Sequence, residues 1–134
     1  MKVYIMGPKQ IAGNSYISFY KDMVKFCKYY FDEVVCTYPD FWESKRAPKE
    51  HYKFIRRQIE SCKALVAEVS TPATGLGVQL QMAVEYKIPV IGIVRKGKKV
   101  SALAEGLPMM RSILVYSSMK ELKKKLGPEL ARLK

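Results

Sequence analysis

Gln79 occupies a position where a helix should be apolar. It shares a helical stripe with Met82, Ala83 and Tyr86, whereas Gln81 and Glu85 fall on the other side. Glu68 is the second anomaly, an acid inside the apolar, β-branched run Ala64-Leu65-Val66-Ala67-Glu68-Val69. Burying that carboxylate unpaired would be costly, so it must meet a cation, a hydrogen-bond donor or a ligand. An ion pair and a ligand contact fit equally well. Ser70 to Gly77 lies between the two residues and carries Pro72, Gly75 and Gly77, so the chain should turn there and become helical from Val78. A strand, a glycine-containing loop and a helix N-terminus form the usual anion- and ligand-receiving corner of an α/β protein.

Two further segments could serve such a corner. Gly7-Pro8-Lys9-Gln10-Ile11-Ala12-Gly13-Asn14 ends the first apolar run. Its glycines and amides could cradle a phosphate or ribose, with Lys9 as a point charge, or it could be an ordinary strand-to-helix turn. It matches neither the P-loop nor the dinucleotide fingerprint. Ser101 follows the basic turn Arg95 to Lys99 and could bind a phosphate or simply cap a short helix. Tyr4, Tyr38, Trp42 and Tyr52 could stack on a base, although aromatic residues in such chains are more often core. His51 sits in a charged stretch and reads as solvated.

The elements that would position these residues alternate. Strands are expected at Val3 to Gly7, Glu33 to Thr37, Ala64 to Val69, Ile88 to Val94 and Ile113 to Tyr116. Helices are expected from Tyr16 to Tyr30, capped by Asn14 or Ser15, from Lys49 to Cys62, over the Gln79 segment, and briefly at Ser101 to Glu105. A final helix starts at the capping box Ser118-x-x-Glu121, with Pro128 interrupting or restarting it. This pattern implies a five-stranded parallel sheet covered on both faces, in a doubly wound, flavodoxin/Rossmann-like α/β fold. Right-handed crossovers then bring Gly7 to Asn14, Ser70 to Gly77 and Arg95 to Ser101 to one crevice.

Composition excludes several classes. The chain has 134 residues, 49% hydrophobic and 27% charged, enough for one domain with its own core. Met1 runs almost directly into the first strand, so no signal peptide is expected, and no apolar run approaches the ~20 residues that span a bilayer. The three cysteines are oddly spaced in apolar segments, which suggests buried thiols in a reducing cytoplasm rather than metal ligands. A single histidine leaves no His-based metal site or catalytic triad, and no cofactor is expected. The net charge of +12 suggests an anionic partner or a lysine-rich solvated surface, and the tail with Lys123-Lys124-Lys125 favours the second reading. No RNA-binding or helix-turn-helix signature supports nucleic acid as that partner.

Taken together, these residues resemble the nucleoside 2-deoxyribosyltransferase-like proteins, especially the 2′-deoxynucleoside 5′-phosphate N-hydrolases. The resemblance is carried by Ala67-Glu68-Val69-Ser70 through Pro72, Gly75, Gly77, Gln79-Leu80 and Ala83-Val84. Lys2-Val3-Tyr4-Ile5 with Gly7, and Val100-Ser101-Ala102-Leu103 with Gly106, support it over residues 1–134 as one domain. It implies a compact, dimeric α/β protein acting at the N-glycosidic bond of nucleosides or their 5′-monophosphates, by transfer or hydrolysis. A Glu in the first turn of the helix would attack C1′ of the sugar, and a second carboxyl group would serve as acid or base. Here the nucleophile position is Gln79, a poor nucleophile, and the second acidic position falls at or near Ile55. Ala73 replaces the small polar residue that would contact the phosphate, with Thr74 beside it, and Lys9 replaces the usual Arg. The implied site is therefore Gln79 and Glu68 for the chemistry, with Tyr4, Gly7, Lys9, Thr74, Gly75, Gly77 and Ser101 around the substrate. Ser101 could be supplied across a dimer. A nucleotide-binding or regulatory module without the reaction is the alternative.

Overall fold

A computed structural model describes residues 1–8, 10–11, 14–37 and 45–133. Five parallel strands form the main sheet: β1 (Lys2–Met6), β4 (Glu33–Cys36), β5 (Ala64–Glu68), β6 (Val90–Arg95) and β7 (Met110–Tyr116), in the order β4-β1-β5-β6-β7. Counting these five strands alone, the order is 2-1-3-4-5, the flavodoxin-like arrangement expected from the alternating pattern. β1 is flanked on both sides, with Tyr4 opposite Val35 in β4 and Leu65 in β5.

Alternate residues of the strands enter two cores, as the twofold strand period requires. Val3, Ile5 and Val66 pack against Tyr20, Met23, Leu122 and Leu126 from α1 (Ile17–Cys27) and α5 (Met119–Leu133). Tyr4, Leu65 and Ala67 pack against Ile55, Ile59, Leu80 and Ala83 from α2 (Pro48–Glu60) and α3 (Thr74–Glu85). With a layer on each side, all five residues of β5 are buried. Cys27, Cys36 and Cys62 are free and buried, and burial pushes the Cys27 and Cys62 thiols up to about 12. Among the described residues no helix is long and apolar enough to cross a membrane.

Five local expectations change. The segment after β1 contains a small antiparallel ladder, β2 (Gln10–Ile11) with β3 (Asn14–Ser15), so Asn14 and Ser15 are strand residues and Tyr16 is the N-cap of α1, without a side-chain cap. α3 begins at Thr74 rather than Val78, because Gly75 and Gly77 are helical and no side chain marks the cap at Ala73. β7 begins at Met110, three residues ahead of the apolar run that announced it. α5 continues through Pro128, since Leu126, Leu130 and Leu133 bury its apolar face on both sides of the proline. At its start the Ser118 hydroxyl accepts from the Glu121 amide at 3.1 Å, but Glu121 reaches back to the Ser117 amide at 2.6 Å rather than to that of Ser118. Lys123 and Lys125 of this helix lie 3.2 Å from Asp22 and 3.4 Å from Glu121, so part of its charge is locally paired.

Candidate active site

The loop leaving β1 is built to pass close to the sheet. A Cβ on Gly7 would run into the Tyr20 hydroxyl and lie 2.8 Å from Glu68 Cβ, so only glycine fits without a shift. The Tyr20 hydroxyl in turn donates to the Pro8 carbonyl at 2.7 Å, fixing the start of the loop. On the far side of the gap, α2 is tied to α3 by one guanidinium. Arg56 donates to the Tyr86 hydroxyl at 2.7 Å, the Tyr52 hydroxyl at 3.1 Å and Glu85 Oε2 at 2.8 Å. Tyr52 is thus an exposed partner of Arg56 rather than a stacking platform.

Between these supports lies a cavity of about 290 Å³ at the carboxyl end of β1. Tyr4 and Gly7 contribute from β1 and its exit, and Thr37 from the end of β4. His51 and Ile55 contribute from α2, and Gly75, Leu76 and Gln79 from α3. The fully buried Tyr4 donates its hydroxyl to Gln79 Oε1 at 2.5 Å. Burial holds the phenol protonated, well above its usual range, so it remains a donor at any physiological pH. With its carbonyl oxygen occupied, Gln79 has its Nε2 as the free hydrogen-bonding end; that nitrogen makes no hydrogen bond among the described residues. Because α3 starts early, Gln79 sits in its second turn rather than its first. The first turn has no side-chain cap, and its residues Gly75 and Leu76 line the cavity.

Glu68 belongs to a different cluster. Its Oε1 accepts from the Ser70 amide at 2.6 Å and its Oε2 from the Tyr116 hydroxyl. Tyr116 is 3.2 Å from the Tyr16 hydroxyl, which accepts from Arg95 at 2.9 Å, and the Arg95 amide donates to Ser70 Oγ at 2.8 Å. This network fills the α1/α5 side of the sheet, whereas Gln79 and Tyr4 meet on the α2/α3 side. Desolvation pushes the Glu68 carboxyl up, with the Ser70 and Tyr116 hydrogen bonds and the Arg95 charge opposing it. Hydrogen-bond donors, with Arg95 one residue beyond, are what the buried acid found. The structure does not bring it to Gln79.

Ser101 and Gly77 open on a separate groove of about 490 Å³, lined also by Val69, Leu80, Leu103 and Leu107. The two cavities share Ala73 and Leu76, so the start of α3 is the partition between them. Ser101 is the N-cap residue of α4 (Ala102–Glu105), with no side-chain cap bond. Thr74 is the exposed first residue of α3 and lines neither cavity. Lys9, Tyr38 and Trp42 lie outside the described residues. The structure therefore gathers Tyr4, Gly7, Gly75 and Gln79, and leaves Glu68, Thr74, Gly77 and Ser101 elsewhere. His51, read as solvated, is a half-buried wall of the cavity. Its signal was present in the sequence: it stands four residues before Ile55 and so shares that residue's helix face.

A parallel doubly wound sheet with a pocket at the carboxyl end of its first strand defines an α/β domain of the flavodoxin-like arrangement, with its cleft where such sheets receive ligands. No family model matches the chain. Over 66 residues it is 36% identical to a Methanosarcina mazei protein provisionally named 2′-deoxynucleoside 5′-phosphate N-hydrolase 1, a match spanning 49% of this chain and 41% of the relative. The matched region is thus less than half the length of that relative. Among solved structures, the Clostridium botulinum CMP N-glycosidase BcmB superposes with a TM-score of 0.70 at 17% identity, covering 95% of this chain and 99% of that one. A conserved Enterococcus faecalis protein superposes with a TM-score of 0.72 at 13% identity, covering 96% and 98%. At those identities the structures share a fold. The sequence match adds the likeness to the N-hydrolases that the central segment implied.

Proposed function

We propose that this protein acts at the N-glycosidic bond of nucleosides or their 5′-monophosphates, by hydrolysis or transfer. The observation that carries this reading is the Tyr4–Gln79 pair, set in a cavity at the helix position where the N-hydrolase resemblance puts the sugar-facing nucleophile. The uncapped start of α3 supports a monophosphate, because free amides and the helix dipole favour an anion there. Ile55 lines the same cavity, which supports placing the second carboxyl position of the N-hydrolases at or near it.

Gln79 also supports a second reading, a nucleotide-binding module that has lost the reaction, because a carboxamide held by a phenol does not form the glycosyl ester a Glu would. Ser101 lines the neighbouring groove rather than the cavity, as does Leu103, which is 87% exposed. This favours a homodimer in which one protomer's Ser101 reaches its partner's cavity. Three free cysteines fit a cytoplasmic setting.

Release of free base from a panel of nucleosides and 5′-monophosphates separates the readings, with binding measured in parallel on wild type and Gln79→Glu. Base release by wild type is the expected outcome. Release only by Gln79→Glu would assign the wild type to the binding module. Absence of any nucleotide binding would reduce the likeness to one of fold.

A further inference from the structure

We infer that His51 is the general base of this site, and that the chain hydrolyses its substrate by direct attack of water rather than through a glycosyl-enzyme intermediate. The inference rests on the N-glycosidic reading above. Two observations carry it. First, the cavity has no carboxylate among its described lining residues: the nucleophile position is Gln79, its oxygen held by Tyr4, and the facing α2 position is Ile55. Second, the chain's single histidine, half-buried, lines that same cavity one helical turn before Ile55. Imidazole is the side chain suited to take and return a proton near neutral pH.

The surroundings leave it that task. Tyr4 is the other titratable group in the described lining, and burial keeps its phenol protonated. Thr37 just beyond β4, and Gly75, Leu76 and Gln79 from α3, carry no charge. Gln79 Nε2, free to donate, can hold the sugar or the incoming water. In the step itself, the water oxygen bonds to C1′ as the C1′–N bond breaks and its electron pair leaves with the base. The water proton passes to His51 and from it to solvent, and the departing base nitrogen, on the opposite face of the sugar, takes its proton from solvent. The products are free base and free sugar, and the protein ends as it began. One displacement inverts the anomeric carbon, whereas a Glu-type double displacement retains it.

The test compares wild type, His51→Gln and His51→Ala on the best substrate of the panel. Base release should fall on the order of 100-fold or more in both variants, with nucleotide affinity unchanged within about twofold. The acid limb of the wild-type rate profile should disappear in His51→Gln, and added imidazole should restore part of the rate in His51→Ala. In methanol–water mixtures wild type should give the inverted methyl glycoside. Wild-type release that survives His51→Gln, or a retained methyl glycoside, overturns this inference and leaves the N-glycosidic reading standing. A loss of binding equal to the loss of rate makes His51 a contact residue and also overturns it. No release by wild type overturns both.

Discussion

At the scale of single residues, the chain shows two polar groups forced into apolar surroundings and resolves them differently. Gln79 keeps one end bonded and one end free, as a ligand contact needs. Glu68 is bonded on both oxygens and buried. Desolvation holds its carboxyl above its ordinary value, so between the two values the folded chain binds more protons than the unfolded one. Its contribution to stability is complete below the ordinary carboxyl range and is lost as pH rises through the raised value. Glu68→Gln keeps the shape: the amide oxygen still accepts from Ser70, and the Tyr116 hydroxyl can turn to accept. Urea-unfolding midpoints should therefore decline as pH rises above the carboxyl range in wild type and stay flat over that window in Glu68→Gln. An equal decline in both proteins would place its source elsewhere. The anomaly of each residue was legible from the sequence, because an acid in a strand and a carboxamide on an apolar stripe violate local patterning. Their partners were not. Tyr4 lies 75 positions from Gln79, and Tyr116 lies 48 from Glu68, so the packing of α3 on the sheet brings the first pair together and the order of the strands the second.

At the scale of elements, α3 carries the clearest tension between stability and use. Gly75 and Gly77 sit inside a helix where an added Cβ would meet nothing within 4 Å, so packing does not demand them. Glycine in a helix interior costs about 0.5–1 kcal/mol relative to alanine. Gly75→Ala and Gly77→Ala should each raise stability by about that amount in chemical denaturation. Gly75 borders the Tyr4–Gln79 cavity and Gly77 the neighbouring groove, so only Gly75→Ala should weaken nucleotide binding. Equal affinity in all three proteins would show that the ligand does not approach α3 at Gly75. The same glycines explain why the sequence places the helix start at Val78 and the structure at Thr74. Glycine and proline are the strongest turn signals in a sequence, and Ala73 offers no capping side chain to outweigh them. The strand alternation was legible because five apolar segments separated by helical patterns admit few other folds.

At the scale of the whole molecule, the charge of +12 becomes a property of approach rather than of fold. A dianionic monophosphate should feel it and a neutral nucleoside should not. Between about 0.01 M and 1 M salt the screening length falls from about 30 Å to about 3 Å, so the association rate of a 5′-monophosphate should drop several-fold. That of the matching nucleoside should hold constant in the same stopped-flow series, and parallel losses would mean that charge does not guide the ligand. The position of β1 has a consequence for how the protein is made. β1 is synthesised before β4 and β5, yet it lies inside the sheet and needs both of them as neighbours. At about 5–20 residues per second, roughly 60 residues must be translated before its second partner arrives, a wait of some seconds. During that interval Val3, Tyr4, Ile5 and Met6, all fully buried in the finished protein, have one edge bare. After β5 docks, β6 and β7 can add outward in the order of synthesis, so the vulnerable moment of assembly falls before β5 arrives and at β1.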